Sequence, residues 1–412
     1  METKTNNSTT NLTTPLMGIL ISLSVCHCCN DALQAVVSAL YPILKDDLTL
    51  SFVQIGVITL CYQMSASVLQ PLAGSYLDRR PNPWFLMLAA VLTFSGLTSL
   101  AYADNYAWVI GSVIVVGMGS SIVHPEASRL TSLASGGHKG LAQSVFQVGG
   151  NLGSSIGPLL AAFVIAPYGR QNTTLVACLA FVGVGVSAII ARWYGRLLKE
   201  AAAKNGGVVG SKKSRPAVQP GDEGWIPRPY TNRRTYFYIG ILLILIFSKY
   251  VYMASVTSFY TFFSMEKFGL DVQQAQYALF VFIFATALGT MIGGPVGDKI
   301  GRKYVIWASI LGATPFTLAI PHVGLWWMVA YSFGAGLMLS SAFPAIVIFA
   351  QELLPNRIGM ISGLFFGCAF GVAGIAAAFW GGYAESHGVE AVFNLSAFLP
   401  LLGIVAIFLP RR

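Results

Sequence analysis

The sequence predicts an all-α polytopic membrane protein, with twelve transmembrane helices in two pseudo-symmetric six-helix bundles. Three observations predict it. Of 412 residues, 55% are hydrophobic and only 10% charged, with a mean hydropathy of +0.66, whereas soluble domains carry about 25% charged residues. Apolar runs long enough to cross a bilayer, about 20 residues as a helix, recur along the whole chain. The second half also repeats the first: Asp78 matches Asp298 (298 − 78 = 220) and Pro125 matches Pro344 (344 − 125 = 219).

In chain order, residues 1–15 are polar and read as a disordered cytoplasmic N-terminus. The spans fall near 16–41, 52–74, 84–102, 107–129, 141–166 and 173–193, which form the N-terminal bundle over 16–193. Residues 194–235 carry Gly206-Gly207, Lys212-Lys213 and four prolines, and read as a mobile basic cytoplasmic linker. The C-terminal bundle, 236–410, has spans near 236–262, 277–296, 304–321, 325–349, 358–381 and 392–410. The first apolar run is too long for the core of a cleavable signal peptide, about 7–15 residues.

Charge orients these spans. The odd-to-even loops hold only Lys45, Arg170 and Lys267, while the termini and even-to-odd loops hold nearly all other cations. By the positive-inside rule both termini are cytoplasmic. The net charge of +9 is therefore topology and attraction to the lipid surface, and no nucleic-acid partner is expected.

Cys26-His27-Cys28-Cys29 suggests a metal site, but successive residues of a helix point to different faces. The six cysteines all lie in apolar runs and read as small buried residues. Neither metal nor disulfide is expected. An activated nucleophile is also lacking, which speaks against an enzyme.

Polar groups inside the spans are the candidate functional residues, because an ionisable side chain in the bilayer is costly and usually functional. Asp31 lies well inside the first span, with His27 and Gln34 about one turn to either side on the same face and Asn30 next to it. Asp31 and His27 suit proton carriage and Asn30 is read as a substrate contact; a helix-packing hydrogen-bond network is the bland alternative. His124-Pro125-Glu126 with Arg129 ends the fourth span; Glu126 and Arg129, three residues apart, can pair, and a proton relay through His124 and Glu126 competes with a gate-side structural ion pair with Asp78 or the neighbouring loop.

Lys249 is the one cation deep in a span, and the offset 249 − 30 = 219 makes it the repeat partner of Asn30. It is read either as the breakable partner of Asp31 or as the binding group for an anionic substrate, with snorkelling to the interface as the alternative. Tyr250, Tyr252, Gln147 and Asn151 offer hydrogen bonds near it. At the same offset His124, Gln147 and Asn151 become Phe343, Phe366 and Phe370. One half is polar where the other is aromatic.

Gly294-Pro295-Val296-Gly297-Asp298-Lys299-Ile300-Gly301-Arg302-Lys303 forms a charged turn between two spans, with a worn copy at Gly74-Ser75-Tyr76-Leu77-Asp78-Arg79-Arg80. Asp78, Arg79, Asp298, Arg302 and, at the end of the fourth span, Arg129 are read as gating residues. The turn resembles the loop signature of the major facilitator superfamily, whose fold has this two-bundle architecture. Gly149-Gly150-Asn151-Leu152-Gly153-Ser154-Ser155-Ile156-Gly157-Pro158 resembles the fifth-span signature of its drug/proton antiporters, with Ala161-Ala162 where a second glycine pair is usual. Taken alone, Gly153 and Gly157 indicate close helix packing.

From Gly18 to Pro410 the chain resembles the fosmidomycin-resistance exporters of that superfamily. The strings that carry this are His27 with Asn30-Asp31, Gly119-Ser120-Ser121 with His124-Pro125-Glu126, Gly140 to Ser144 with Phe146 to Asn151, Ile241 to Tyr250, and Gly294 to Trp307. The resemblance implies a monomeric multi-pass protein of the bacterial inner membrane. It would export a small anionic phosphonate drug in exchange for protons, using the proton gradient and no cofactor. A proton-coupled uptake symporter for a small organic anion shares the same residue logic, and a lipid flippase is a weaker third reading.

Overall fold

The computed structural model describes residues 14–136, 138–204, 229–354 and 358–410. Regular structure among these is helical throughout. The N-terminal half contributes α1 (Met17–Ala39), α2 (Phe52–Arg79), α3 (Phe85–Ala101), α4 (Tyr106–Ala134), α5 (Lys139–Leu160) and α6 (Leu179–Lys204). The C-terminal half contributes α7 (Asn232–Phe268), α8 (Val272–Ile300), α9 (Arg302–Ala319), α10 (Leu325–Leu353), α11 (Ile358–His387) and α12 (Val389–Ser396, running on as Leu399–Phe408). Eleven of the twelve spanning segments are long and apolar enough to cross a membrane among the described residues; α3, at 17 residues, is the short one.

In two spans a departure from plain α-helix accompanies a proline. After Pro158, α5 passes through a π-helical turn, Ala161–Ile165, before ending at Tyr168. The second part of α12 is a 3-10 helix with Pro400 in its first turn. A proline lacks the N–H that an α-helical bond needs, so the surrounding backbone finds other partners.

The repeat extends to details of the turns. Ser51 caps α2 through a reciprocal pair with Gln54, and Asp271 caps α8 through the same pair with Gln274, an offset of 271 − 51 = 220. Such a box satisfies two otherwise orphan N–H groups. Two residues before each cap the backbone is left-handed, at Thr49 (φ 49°) and at Gly269 (φ 64°). Gly169 and Gly388, 219 apart, also share positive φ, at 89° and 82°.

Packing differs between the two ends of the bundle. At the end bearing the odd-to-even loops, one apolar cluster spans both halves, joining Tyr41, Ile55 and Ala161 to Phe259, Phe263 and Trp380. Towards the opposite end each half keeps its own core, around Leu23, Val123 and Phe146 in one and Leu245, Ile306 and Phe349 in the other. Bonds between the halves add to the shared seal. Gln276 Nε2 donates to Ala39 O at 2.8 Å, Gln273 Nε2 to Ala162 O at 2.9 Å, and the Phe52 N–H to Glu385 Oε2 at 2.6 Å. The molecule is thus shut at the odd-loop end.

Candidate transport site

Asp31 sits on α1 between two imidazoles. His27, one turn earlier, places Nε2 3.2 Å from Asp31 Oδ2. His124, from α4, places Nε2 3.5 Å from Asp31 Oδ1, and Asn30 Nδ2 donates to that same oxygen at 3.0 Å. The two rings meet edge to face with centroids 5.2 Å apart. Each ring's other nitrogen faces a backbone carbonyl: His27 Nδ1 lies 2.9 Å from Phe146 O, and His124 Nδ1 lies 3.1 Å from Ser120 O. Three ligand-type atoms therefore converge within 4.8 Å, at spacings expected of shared protons. Asp31 and His124 keep 16% and 24% of their side-chain surface exposed, so the cluster borders open space on one side.

The glycines of α5 explain how His27 is seated. A Cβ on Gly149 would lie 2.0 Å from Ser24 O, on Gly153 2.2 Å from Cys28 O, and on Gly157 2.4 Å from Ala35 Cβ. On Gly150 it would strike the His27 ring at 2.3 Å. The stripe brings α5 against α1, and Phe146 from the same helix stacks on His27 at 4.1 Å.

Lys249, on α7, is 4% exposed. The ion pair with Asp31, one of the two sequence readings of Lys249, is not formed: Asp31 is held by the two histidines, and no described carboxylate pairs with Lys249. Its ammonium instead lies 5.1 Å from the ring centres of both Tyr250 and Phe343. Phe343 meets Phe366 edge to face at 5.1 Å, and across the halves Phe370 approaches His124 at 6.4 Å. Phe366 and Phe370 were legible only as the repeat partners of Gln147 and Asn151.

The remaining sequence-selected residues divide. Gln147 Nε2 donates to Asn151 Oδ1 at 3.4 Å, whereas Asn151 Nδ2 and Gln34 Nε2 are buried donors with no acceptor. Tyr252 does not join this group. At 1% exposure it is packed into the core shared by the halves, with its hydroxyl unpartnered.

Glu126 is not joined to His124, because the relay's two members turn opposite ways. Arg129 donates to both Glu126 oxygens, at 2.6 and 3.0 Å, and to the Tyr194 hydroxyl at 2.9 Å. Arg302 bonds Glu352 at the end of α10, a partner that sequence reasoning did not single out although it is an acid closing an apolar run. The side chains of Asp78, Arg79 and Asp298 lie outside the described residues. All six cysteines are free.

The family model of the Major Facilitator Superfamily matches residues 23–270 and 242–412. The chain belongs to the Major Facilitator Superfamily. It is a multi-pass membrane transporter, not an enzyme. It is 50% identical over 393 residues to the fosmidomycin resistance protein of Escherichia coli (strain K12), covering 95% of this chain and 93% of that protein. It is 37% identical over 399 residues to the uncharacterized MFS-type transporter YfnC of Bacillus subtilis (strain 168), covering 96% and 94%. Among solved structures, the nucleoside transporter NupG matches with a TM-score of 0.72 at 12% identity, over 94% of this chain and 99% of that one. A bacterial homolog of the human lysosomal transporter Spinster, inward-facing and occupied, matches at 0.71 and 13% identity over 94% of each chain. At such identities these two structures speak for the superfamily fold alone.

Proposed function

We propose that this transporter exports a small anionic phosphonate drug, of the fosmidomycin kind, in exchange for protons. The single observation that carries the substrate class is Lys249, a buried cation without a counter-ion among the described residues. Burying an unpaired ammonium costs several kcal/mol, and an anion arriving from the cavity offsets that cost. Asn151 Nδ2 and Gln34 Nε2 add unpaired buried donors, so the lining has spare donors for a ligand rich in acceptors. The likeness to the Escherichia coli fosmidomycin resistance protein supports a phosphonate.

On this reading Asn30, Gln147, Asn151 and Tyr250 line the substrate site with Lys249, while Asp31, His27 and His124 handle protons. Glu126 with Arg129 is assigned to the gate side, together with Arg302 and the turns at Asp78, Arg79 and Asp298. The bundles 16–193 and 236–410, tied by the 194–235 linker, rock about the site in a single copy of the chain. Both termini lie in the cytoplasm of a bacterial inner membrane, the shut end is periplasmic, and the proton gradient is the only energy source.

One observation favours a second reading, proton-coupled uptake of the anion. An anion at Lys249 attracts protons to the Asp31 cluster, and co-binding is the sign that symport needs. Exchange requires the two occupancies to exclude each other, which a drug pressing on His124 by way of Phe370 would achieve. Purified protein in weakly buffered detergent decides between them. Fosmidomycin should release protons for export and take them up for symport; no proton movement at saturating drug would remove proton coupling at this site. Drug susceptibility of cells with and without the chain tests the substrate itself.

A further inference from the structure

The geometry points to a two-proton device: we propose that His27, Asp31 and His124 bind two protons as one unit, one on each nitrogen–oxygen line. This deepens the proton-handling reading above and rests on it only for its use in transport. The count follows from donors and acceptors. A backbone carbonyl can only accept, so His27 Nδ1, 2.9 Å from Phe146 O, carries the ring proton. His124 Nδ1 is assigned the same tautomer because Ser120 O, at 3.1 Å, is nearer than the Ser120 hydroxyl at 3.4 Å, which can then accept as well. Both Nε2 atoms are then bare lone pairs in the neutral rings. Each faces a different oxygen of one carboxylate, at 3.2 and 3.5 Å, and a carboxylate is also acceptor-only.

Without added protons both lines set lone pair against lone pair. A single proton satisfies one line and leaves the other opposed. Two protons satisfy both, converting the cluster from a net charge of about −1 to about +1 with the bonds intact. Asn30 donates to Oδ1 in either state and so does not change the count.

Among the described residues, the surroundings supply no competing counter-charge. On α1 itself, Cys26, Cys28 and Cys29 are free thiols. From α2, Tyr62 spends its hydroxyl on Gln34 Oε1 at 2.6 Å. On α4, Glu126 is taken by Arg129. The α3, α5 and α6 faces against α1 carry uncharged groups such as Thr93, Gln147, Asn151 and Ser187. The facing α7 brings Lys249 and Tyr250, of which Lys249 is cationic and opposes rather than replaces the second proton.

The test is ring-nitrogen NMR on full-length protein labelled with ¹⁵N-histidine in lipid nanodiscs, with chelator present, titrated from alkaline to acid pH. His27→Gln and His124→Gln assign the signals among five histidines. The expected result is that both rings begin as Nδ1–H tautomers and both end as imidazolium, two protons gained. One ring staying neutral over the whole range, or either beginning as the Nε2–H tautomer, overturns the proposal; the titration itself is read on the parent protein, and the variants serve only to assign its signals. Drug flux driven by a pH gradient in proteoliposomes is the separate arm. Two imidazoliums with no gradient-driven flux would uphold the two-proton cluster and defeat the transport reading.

Discussion

Asp31 and Tyr250 occupy equivalent positions 219 residues apart (250 − 31 = 219), and each leans on the equivalent residue of its own bundle. Asp31 meets His124 at 3.5 Å, while Tyr250 meets Phe343, 219 beyond His124, with ring centres 5.6 Å apart. The same backbone scaffold therefore presents an ionisable contact in one half and an aromatic one in the other. Beside Tyr250 stands Lys249, and beside Asp31 stands Asn30. The proton cluster and the cation for the anion are assigned to opposite walls, and Phe370 approaches His124 across them.

Asp31→Asn should abolish proton-driven transport while protein levels and membrane insertion stay near those of the parent. The amide keeps the shape and can still bond one imidazole, but it cannot give up a proton in this range. Resistance of expressing cells across external pH is the measurement; full resistance with an unchanged pH response would take Asp31 out of the mechanism.

Gly150→Ala should impair transport through His27. The new Cβ would lie 2.3 Å from the ring, so the ring or the α1–α5 packing must shift, and such overpacking costs about 1–3 kcal/mol. Gly185→Ala on α6, where nothing lies within 4 Å, is the matched control and should leave both melting temperature and flux unchanged. Equal behaviour of the two variants would show that the glycine stripe does not position His27.

Arg129→Ala should destabilise the detergent-solubilised protein. It leaves the Glu126 carboxylate, whose side chain is 2% exposed, without its partner, and breaking a buried pair from one side costs about 3–5 kcal/mol. Glu126→Gln with Arg129 retained should melt less severely and keep its pH response, because the pair is read as part of the gate. A pH response lost in Glu126→Gln would return Glu126 to the proton path.

Much of this was legible from sequence because the signals are local. Span positions follow from hydropathy, and the His27–Asp31 contact from the pitch of one helix. His124 reaching Asp31 was not legible, since its orientation depends on how α4 packs on α1. For the same reason the sequence left the Asp31–Lys249 pair open beside anion binding, and the structure does not form it: the carboxylate is engaged on its own side. Tyr252 shows the limit of spacing along one helix, which cannot say that the shared core claims that side chain. Pro400 was visible, but the 3-10 geometry it accompanies in α12 was not.

Lys249→Gln should weaken binding of fosmidomycin while affecting a neutral ester of the same drug little. A hydrogen bond to a charged group contributes about 1.5–3 kcal/mol, which corresponds to roughly a tenfold to hundredfold rise in Kd. Lys249→Arg should rescue only in part, because the ammonium stands between the Tyr250 and Phe343 rings and a planar fork needs more room. Adding Asp31→Asn to Lys249→Gln should restore no binding, since the two residues are not paired in this state. Tryptophan quenching or calorimetry on purified protein supplies the dissociation constants. Equal losses for the drug and its ester would rule out direct contact with the phosphonate, and rescue by the double change would mean that Lys249 spends part of the cycle paired with Asp31.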